Sequence, residues 1–247
     1  MTNRPRIDYS LDEERIDLWP VCISADVSPA PRFRDLLGPR EAERCAAFRF
    51  ENLRTNYILV HGILRILAAK YLDCDPAKLQ FGAGPYQKPY ILPRGRLEFN
   101  LSHSGDLALF GFVPNCELGV DVEKIVPKED LLEIAGSVLC AEEIRDLMLL
   151  DAGERQQAFF RAWTRKEAYV KAVGKGLQTP LDSFRVSLRP SEDARLLHIN
   201  GNFEAGARWI LHTIDSLPGA AAALAYPGPL KEVRLMPLLS PADFFEA

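Results

Sequence analysis

Apolar residues recur along this chain with two periods, and the switches between them outline its elements. Asp17 to Ala25 is rich in Ile, Trp and Val and predicts a strand. Ser28 to Pro39 is punctuated by proline and reads as loop, ahead of a charged helix from about Arg40 to Phe50. From Leu53 to Tyr71, the residues Ile58, Leu59, Ile63, Leu64, Ile66 and Leu67 build an apolar stripe that predicts a long helix, ended at Asp73 to Pro76. Gly82 to Pro93, with three prolines and two glycines, is expected to be an exposed loop. Leu97 to Leu101 and Leu107 to Val113 predict a hairpin whose connection is Ser102-His103-Ser104-Gly105-Asp106.

The second half replays that order. Leu118 to Ile125 reads as a strand, and Glu129 to Ala135 and Glu142 to Leu150 as helices. Arg155 to Val173 predicts a longer helix, stopped by Gly174-Lys175-Gly176 as a glycine C-cap would stop it. Phe184 to Leu188 is a strand, and Arg208 to Thr213 with Ala220 to Ala225 forms a closing pair. The expectation is an α+β fold of two similar subdomains, residues 1–118 and 119–247, repeating at about 110 residues and related by a pseudo-twofold. Any site belongs in the cleft between them.

Composition narrows the function. The chain has 247 residues, 47% apolar and 26% charged, which fits a folded globular protein rather than a disordered one. Its net charge of −4 is wrong for a general nucleic-acid binder. No apolar run is long enough to cross a bilayer and residues 1–17 carry no apolar leader, so a cytoplasmic protein is expected. Five scattered cysteines lack C-x-x-C spacing and the four histidines lack metal-ligand spacing, which suits reduced thiols. Phosphate-loop, dinucleotide, nucleophile-elbow and zinc-protease motifs are absent. One local feature stands out. Phe159 to Gly176 carries Arg161, Arg165, Lys166, Lys171 and Lys175 against Glu167 alone, so either an anion lies nearby or the helix has a solvated basic face.

Four segments carry candidate chemistry. In Gly119-Val120-Asp121-Val122-Glu123, strand alternation sends Asp121 and Glu123 to one face and the valines to the other. Neighbouring carboxylates repel unless a proton or cation sits between them, and hard oxygen donors suit Mg²⁺; a strand with one solvated face is the plain alternative. In Trp163 to Lys171, Glu167 falls in an apolar stripe with Phe160, Trp163 and Val170, so it needs a cation or a raised pKa. Lys171 one turn on could serve a phosphate, or simply pair with Glu167. Asn100-Leu101-Ser102-His103-Ser104-Gly105 offers anion donors at a bend, or ordinary turn chemistry. Ser102 and His103 point oppositely on a strand and make a poor nucleophile–base pair. Tyr86-Gln87-Lys88-Pro89-Tyr90 sets a lysine among aromatic residues.

In this order the segments resemble the phosphopantetheinyl transferases of the surfactin-synthetase-activating (Sfp) type, and the likeness continues through Gly174-Lys175-Gly176-Leu177 and Pro180-Leu181-Asp182-Ser183-Phe184. The resemblance runs from about Arg40 to Leu188 and implies the two-subdomain fold of the monomeric members. It implies transfer of phosphopantetheine from coenzyme A to a serine hydroxyl of an apo acyl, peptidyl or aryl carrier protein, releasing 3',5'-ADP. Asp121, Glu123 and Glu167 would hold Mg²⁺, with Mn²⁺ also suited to oxygen ligands. Lys171, Lys166 and His103 with Ser102 would meet the phosphates, Lys88 and Pro89 would flank the adenine, and Arg44 would meet the 3'-phosphate. Glu167 would be ligand, base for the serine hydroxyl, or both.

Several positions depart from the family pattern. The usual G-K-P is Gln87-Lys88-Pro89, Glu41 stands where a basic residue is expected, and Asn56 replaces an arginine, with Arg40 and Arg54 nearby. Glu143 matches an acidic position of no derived role. Lys124 to Gly136, with Val138 and Leu139, is the expected carrier-docking surface. Two other classes compete: a coenzyme A- or carrier-binding protein without turnover, and a Mg²⁺-dependent phosphohydrolase using the same carboxylates.

Overall fold

The computed structural model describes residues 8–128 and 130–245. The chain runs through β1 (Arg15–Cys22), α1 (Ala30–Arg34), α2 (Pro39–Ala46), α3 (Glu51–Leu72), β2 (Gln80–Ala83), β3 (Pro89–Leu92), β4 (Glu98–Ser104) and β5 (Leu107–Val113). It continues through β6 (Gly119–Lys124), α4 (Leu131–Val138), α5 (Ala141–Met148), α6 (Ala152–Val173), β7 (Phe184–Val186), β8 (Leu196–Ile199), α7 (Phe203–Ala207), β9 (Trp209–Thr213), β10 (Ala220–Pro227) and β11 (Glu232–Leu235). The α+β class expected from the pattern is the one observed.

Two sheets repeat one plan. β5 lies between β1 and β4, and β10 lies between β6 and β9. Strand alternation sorts their side chains. Trp19 and Val21 of β1 join the core under α3, while Ile16 and Leu18 join a cluster shared with Val120, Val122, Leu224 and Tyr226 of the second sheet. Ala223 and Ala225 turn the other way, toward α6. Each sheet therefore carries one long helix on one face and meets the other sheet through its opposite face.

The repeat extends to the helices. α3 and α6 both have 22 residues and both end on a left-handed residue, Asp73 at φ 50° and Gly174 at φ 72°. Each follows an eight-residue helix with a glutamate in its first turn, Glu41 in α2 and Glu143 in α5. The tail crosses back: β11 pairs in parallel with β1, Arg15 opposite Glu232.

Several expectations need correction. Residues 28–39 are not all loop, because Phe33 of α1 is fully buried and packs against Gly62 of α3. Residues 82–93 contain β3 and the end of β2, a hairpin paired Gln80 to Leu92. Ser102, His103 and Ser104 are strand residues, since the ladder with β5 runs on to Ser104 opposite Leu107 and only Gly105 and Asp106 turn. The charged helix ends at Ala46, before Phe50. Glu129 lies outside the described residues, and the helix expected there begins at Leu131. Short β8, α7 and β11 had no periodic signal. Among the described residues, no helix is long and apolar enough to cross a membrane.

Candidate active site

The site forms where β6 and α6 of the second sheet layer meet β4 of the first. Gly119 makes the approach possible, because a Cβ there would stand 2.0 Å from the Ala168 carbonyl oxygen. With β6 pressed against α6, Asp121 comes to Lys171. Its Oδ1 accepts from Lys171 Nζ at 2.6 Å and from the Ser102 hydroxyl at 2.8 Å. Its Oδ2 is buried without a hydrogen-bond partner. Burial pushes the Asp121 carboxyl up to about 6, against the pull of Lys171 and Ser102 and with Glu123 adding repulsion.

Glu123, two residues on, shares that face, and its Oε2 accepts from the Ser104 hydroxyl at 2.6 Å. Glu167 on α6 is half-buried; burial raises its pKa, Glu123 adds to the rise and Lys171 opposes it. His103 faces the other way from Ser102 and is exposed. Partial desolvation there, with Lys171 and His61 nearby, lowers its pKa and favours the neutral imidazole.

These carboxylates suit a hard divalent cation by donor type, and Asp121 Oδ2 is a buried acceptor that no protein donor meets. Among the described residues, however, no three His, Cys, Asp or Glu side chains are gathered closely enough to ligate an ion as they stand. The Lys171 ammonium takes one Asp121 oxygen instead.

A cavity of about 570 Å³ opens beyond Lys88, lined by Tyr86, Tyr90, Arg94, Glu117, Gly174 and Lys175. Lys88 Nζ donates to Leu118 O at 3.1 Å and Ala172 O at 2.8 Å, tying its hairpin loop to the start of β6 and the end of α6. Burial lowers its pKa. Pro89 opens β3 and is exposed.

A model of the 4'-phosphopantetheinyl transferase superfamily matches residues 117–225, the segment that holds all three carboxylates and Lys171. HetI of Nostoc sp., a 4'-phosphopantetheinyl transferase, is 30% identical over 224 residues, covering 90% of this chain and 91% of HetI. This chain belongs to the 4'-phosphopantetheinyl transferases. Sfp of Bacillus subtilis strain 168 is 32% identical over 157 residues, 64% of this chain and 69% of Sfp. A provisional member from Synechocystis sp., slr0495, is 35% identical over 154 residues, 62% of this chain and 63%, under two thirds, of that protein. The holo-[acyl-carrier-protein] synthase structure of Thermotoga maritima aligns with a TM-score of 0.36 at 21% identity, covering 47% of this chain and 63% of that one.

Other residues of this transferase lie where the pattern did not put them. Lys166 is not at the site. It is fully buried on another face of α6, and its Nζ contacts Glu143 Oε2, Leu181 O and Phe184 O, each at 2.7 Å. Glu143 in turn accepts from Cys140 N at 2.8 Å and Val186 N at 2.7 Å, which gives it a structural role. The basic excess on α6 is largely spent on backbone: Arg161 donates to Leu188 O, and Arg165 to Ser187 O and Thr213 Oγ1. Of the five cations, Lys171 is at the carboxylates and Lys175 lines the cavity.

The departures in the first half also resolve. Glu41 turns inward, where it caps Gly38 N at 2.8 Å, meets Arg65 Nε at 2.7 Å and lies 3.3 Å from His61 Nδ1. Burial opposes its charge, but His61, Arg65 and the Gly38 N–H outweigh it and lower its pKa. Glu41–Arg65 is the first-half counterpart of Glu143–Lys166, with Arg65 reaching Pro76 O and Leu79 O. Arg54 is held by Glu51 and Phe48 O, while Arg44 and Arg40 are exposed on α2. Gln87 keeps a left-handed backbone, φ 66°, at the position where the family pattern has glycine.

Proposed function

We propose that this chain transfers the 4'-phosphopantetheine group of coenzyme A to a serine hydroxyl of an apo acyl or peptidyl carrier protein, leaving 3',5'-ADP, with Mg²⁺ held by Asp121, Glu123 and Glu167. The observation that carries the reading is the buried, half-unpartnered Asp121 carboxylate, set beside Glu123, Glu167 and Lys171 in a member of this family. Bound there, Mg²⁺ would supply positive charge that offsets the carboxylates and stabilises the charge developing on the 5'-phosphate of the departing 3',5'-ADP. Mn²⁺ serves the same donors.

The chain's own groups divide the rest of the work. Lys171, already in contact with two oxygens at the site, turns its ammonium to the phosphate under attack. His103, kept neutral, donates one ring N–H to a phosphate oxygen. Glu167, with its raised pKa, accepts the serine proton directly or through water when it is not a metal ligand. Lys88 and Pro89 frame the cavity for the adenine end, and Arg44 reaches the 3'-phosphate. Residues 1–118, joined by the returning tail, and 119–247 act as two subdomains of a cytoplasmic monomer.

The carrier docks on residues 124–136, while Val138 and Leu139, expected on the same surface, are buried in the core against α6 and drop out of it. Val126 and Leu132 are exposed there, at 45% and 51%, on the segment that follows β6, and Glu129 lies outside the described residues. Intact-protein mass spectrometry tests the whole reading: an apo-carrier with coenzyme A and this protein should gain one phosphopantetheine with Mg²⁺ and none with EDTA. Asp121→Ala and Glu167→Ala should each stop the gain while the protein stays folded. Full transfer by either variant would remove the metal assignment. Coenzyme A binding without transfer to any carrier class would favour a binding protein instead, and 3',5'-ADP release without a carrier would favour a hydrolase.

A further inference from the structure

β4 is the edge of one sheet and β6 the edge of the other, and they run side by side with no backbone ladder between them among the described residues. Such edges leave N–H and C=O groups to be satisfied some other way. Two side chains of β4, Asn100 and Ser104, do this, and Ser102 between them meets a side chain of β6. Asn100, Ser102 and Ser104 occupy alternate positions and so share one face. Asn100 Oδ1 accepts from Val120 N at 2.9 Å, which sets the position of β6 along β4. Ser102 donates to Asp121 Oδ1 at 2.8 Å. Ser104 donates to Glu123 Oε2 at 2.6 Å, and its oxygen accepts from Lys124 N at 3.2 Å. The two-residue period of one strand thus meets that of the other, and one serine serves each carboxylate.

We propose that Ser104 is a positioning residue of the transfer reaction: it holds the Glu123 carboxylate on the face of β6 that it shares with Asp121, within reach of a cation that the two would ligate together. The inference rests on the Mg²⁺ reading above. Glu123 has three rotatable side-chain bonds and lies beside another carboxylate, so without a tether it would swing away from Asp121 toward solvent. Ser104 engages one oxygen of Glu123 and leaves the other without a hydrogen bond to it. Because the Ser104 oxygen also accepts the Lys124 N–H, the hydroxyl is fixed to the same strand whose carboxylate it orients.

The test uses Ser104→Ala and Ser104→Thr in the full chain. Mn²⁺ binding is followed by electron paramagnetic resonance with coenzyme A present, next to kcat, the Mg²⁺ concentration for half-activation and coenzyme A affinity in EDTA. Ser104→Ala should weaken Mn²⁺ binding and raise the half-activating Mg²⁺ concentration about tenfold or more. Coenzyme A affinity in EDTA and the thermal midpoint should hold, and Ser104→Thr, which keeps the hydroxyl, should behave as the parent. Parent-like Mn²⁺ binding by Ser104→Ala overturns the positioning role alone, as does an equal loss in the threonine variant. Absence of Mn²⁺ binding by the parent itself overturns the metal reading and this inference with it.

Discussion

Lys166→Met separates a structural lysine from a cofactor-binding one. Lys166 is fully buried and its three short contacts account for all three ammonium N–H groups. Methionine matches the length of the side chain but leaves the Leu181 and Phe184 carbonyls unpaired and the Glu143 carboxylate, itself fully buried, without its cation. Removing one partner of such a pair costs about 3–5 kcal/mol. For a chain of this size, each kcal/mol lowers the midpoint by about 2–4 °C, so a fall on the order of 10 °C is expected. Denaturant titration and calorimetry would measure the loss, and Lys166→Met/Glu143→Gln should recover part of it, because no buried charge then stands alone. The folded fraction should retain the parental KM for coenzyme A. A midpoint within about 1 °C of the parent, joined to a raised coenzyme A KM, would show that Lys166 reaches the cofactor and that the burial argument is wrong.

Three further outcomes follow from residues already placed. Arg44→Ala should raise the KM for coenzyme A about tenfold to a hundredfold, the worth of a charge-assisted contact, and leave that for 3'-dephospho-coenzyme A unchanged; equal effects on both would put Arg44 elsewhere. Val126→Asp or Leu132→Asp, at the exposed positions, should raise the carrier KM about tenfold with little change in the coenzyme A KM, and unchanged carrier kinetics would retire that docking surface. His212 is partly buried with Nε2 3.1 Å from the Tyr226 hydroxyl, and burial lowers its pKa. Because the folded state holds this proton more weakly than the unfolded state, the stability contribution is present above the ordinary histidine range and is lost as pH falls through it. Thermal midpoints from pH 8 down to pH 5 should therefore fall more steeply in the parent than in His212→Gln; parallel curves would dismiss the effect.

Much of this protein was legible in one dimension because local period and capping carry it. The alternation of Val120, Asp121, Val122 and Glu123 does split across β6, valines to the shared core and carboxylates toward α6. The helical stripe and the glycine after Val173 mark α6 and its left-handed stop. The order of the spaced motifs was enough to name the family.

Other decisions belonged to the tertiary structure alone. Lys166 and Lys171 have the same local code, yet five residues advance a helix by about 500°, which turns one to the Glu143 carboxylate and the other to Asp121. Glu41 looked misplaced beside a phosphate until Arg65, 24 positions on, was seen to hold it inward. The turn residues around Gln87 and the short β11 drew their strand pairing from partners distant in the chain or from a left-handed backbone that glutamine does not announce. Periodicity records which face of an element is apolar. It does not record which distant carbonyl, carboxylate or strand edge that element will meet, and those long-range encounters decide which charged residues are left for chemistry.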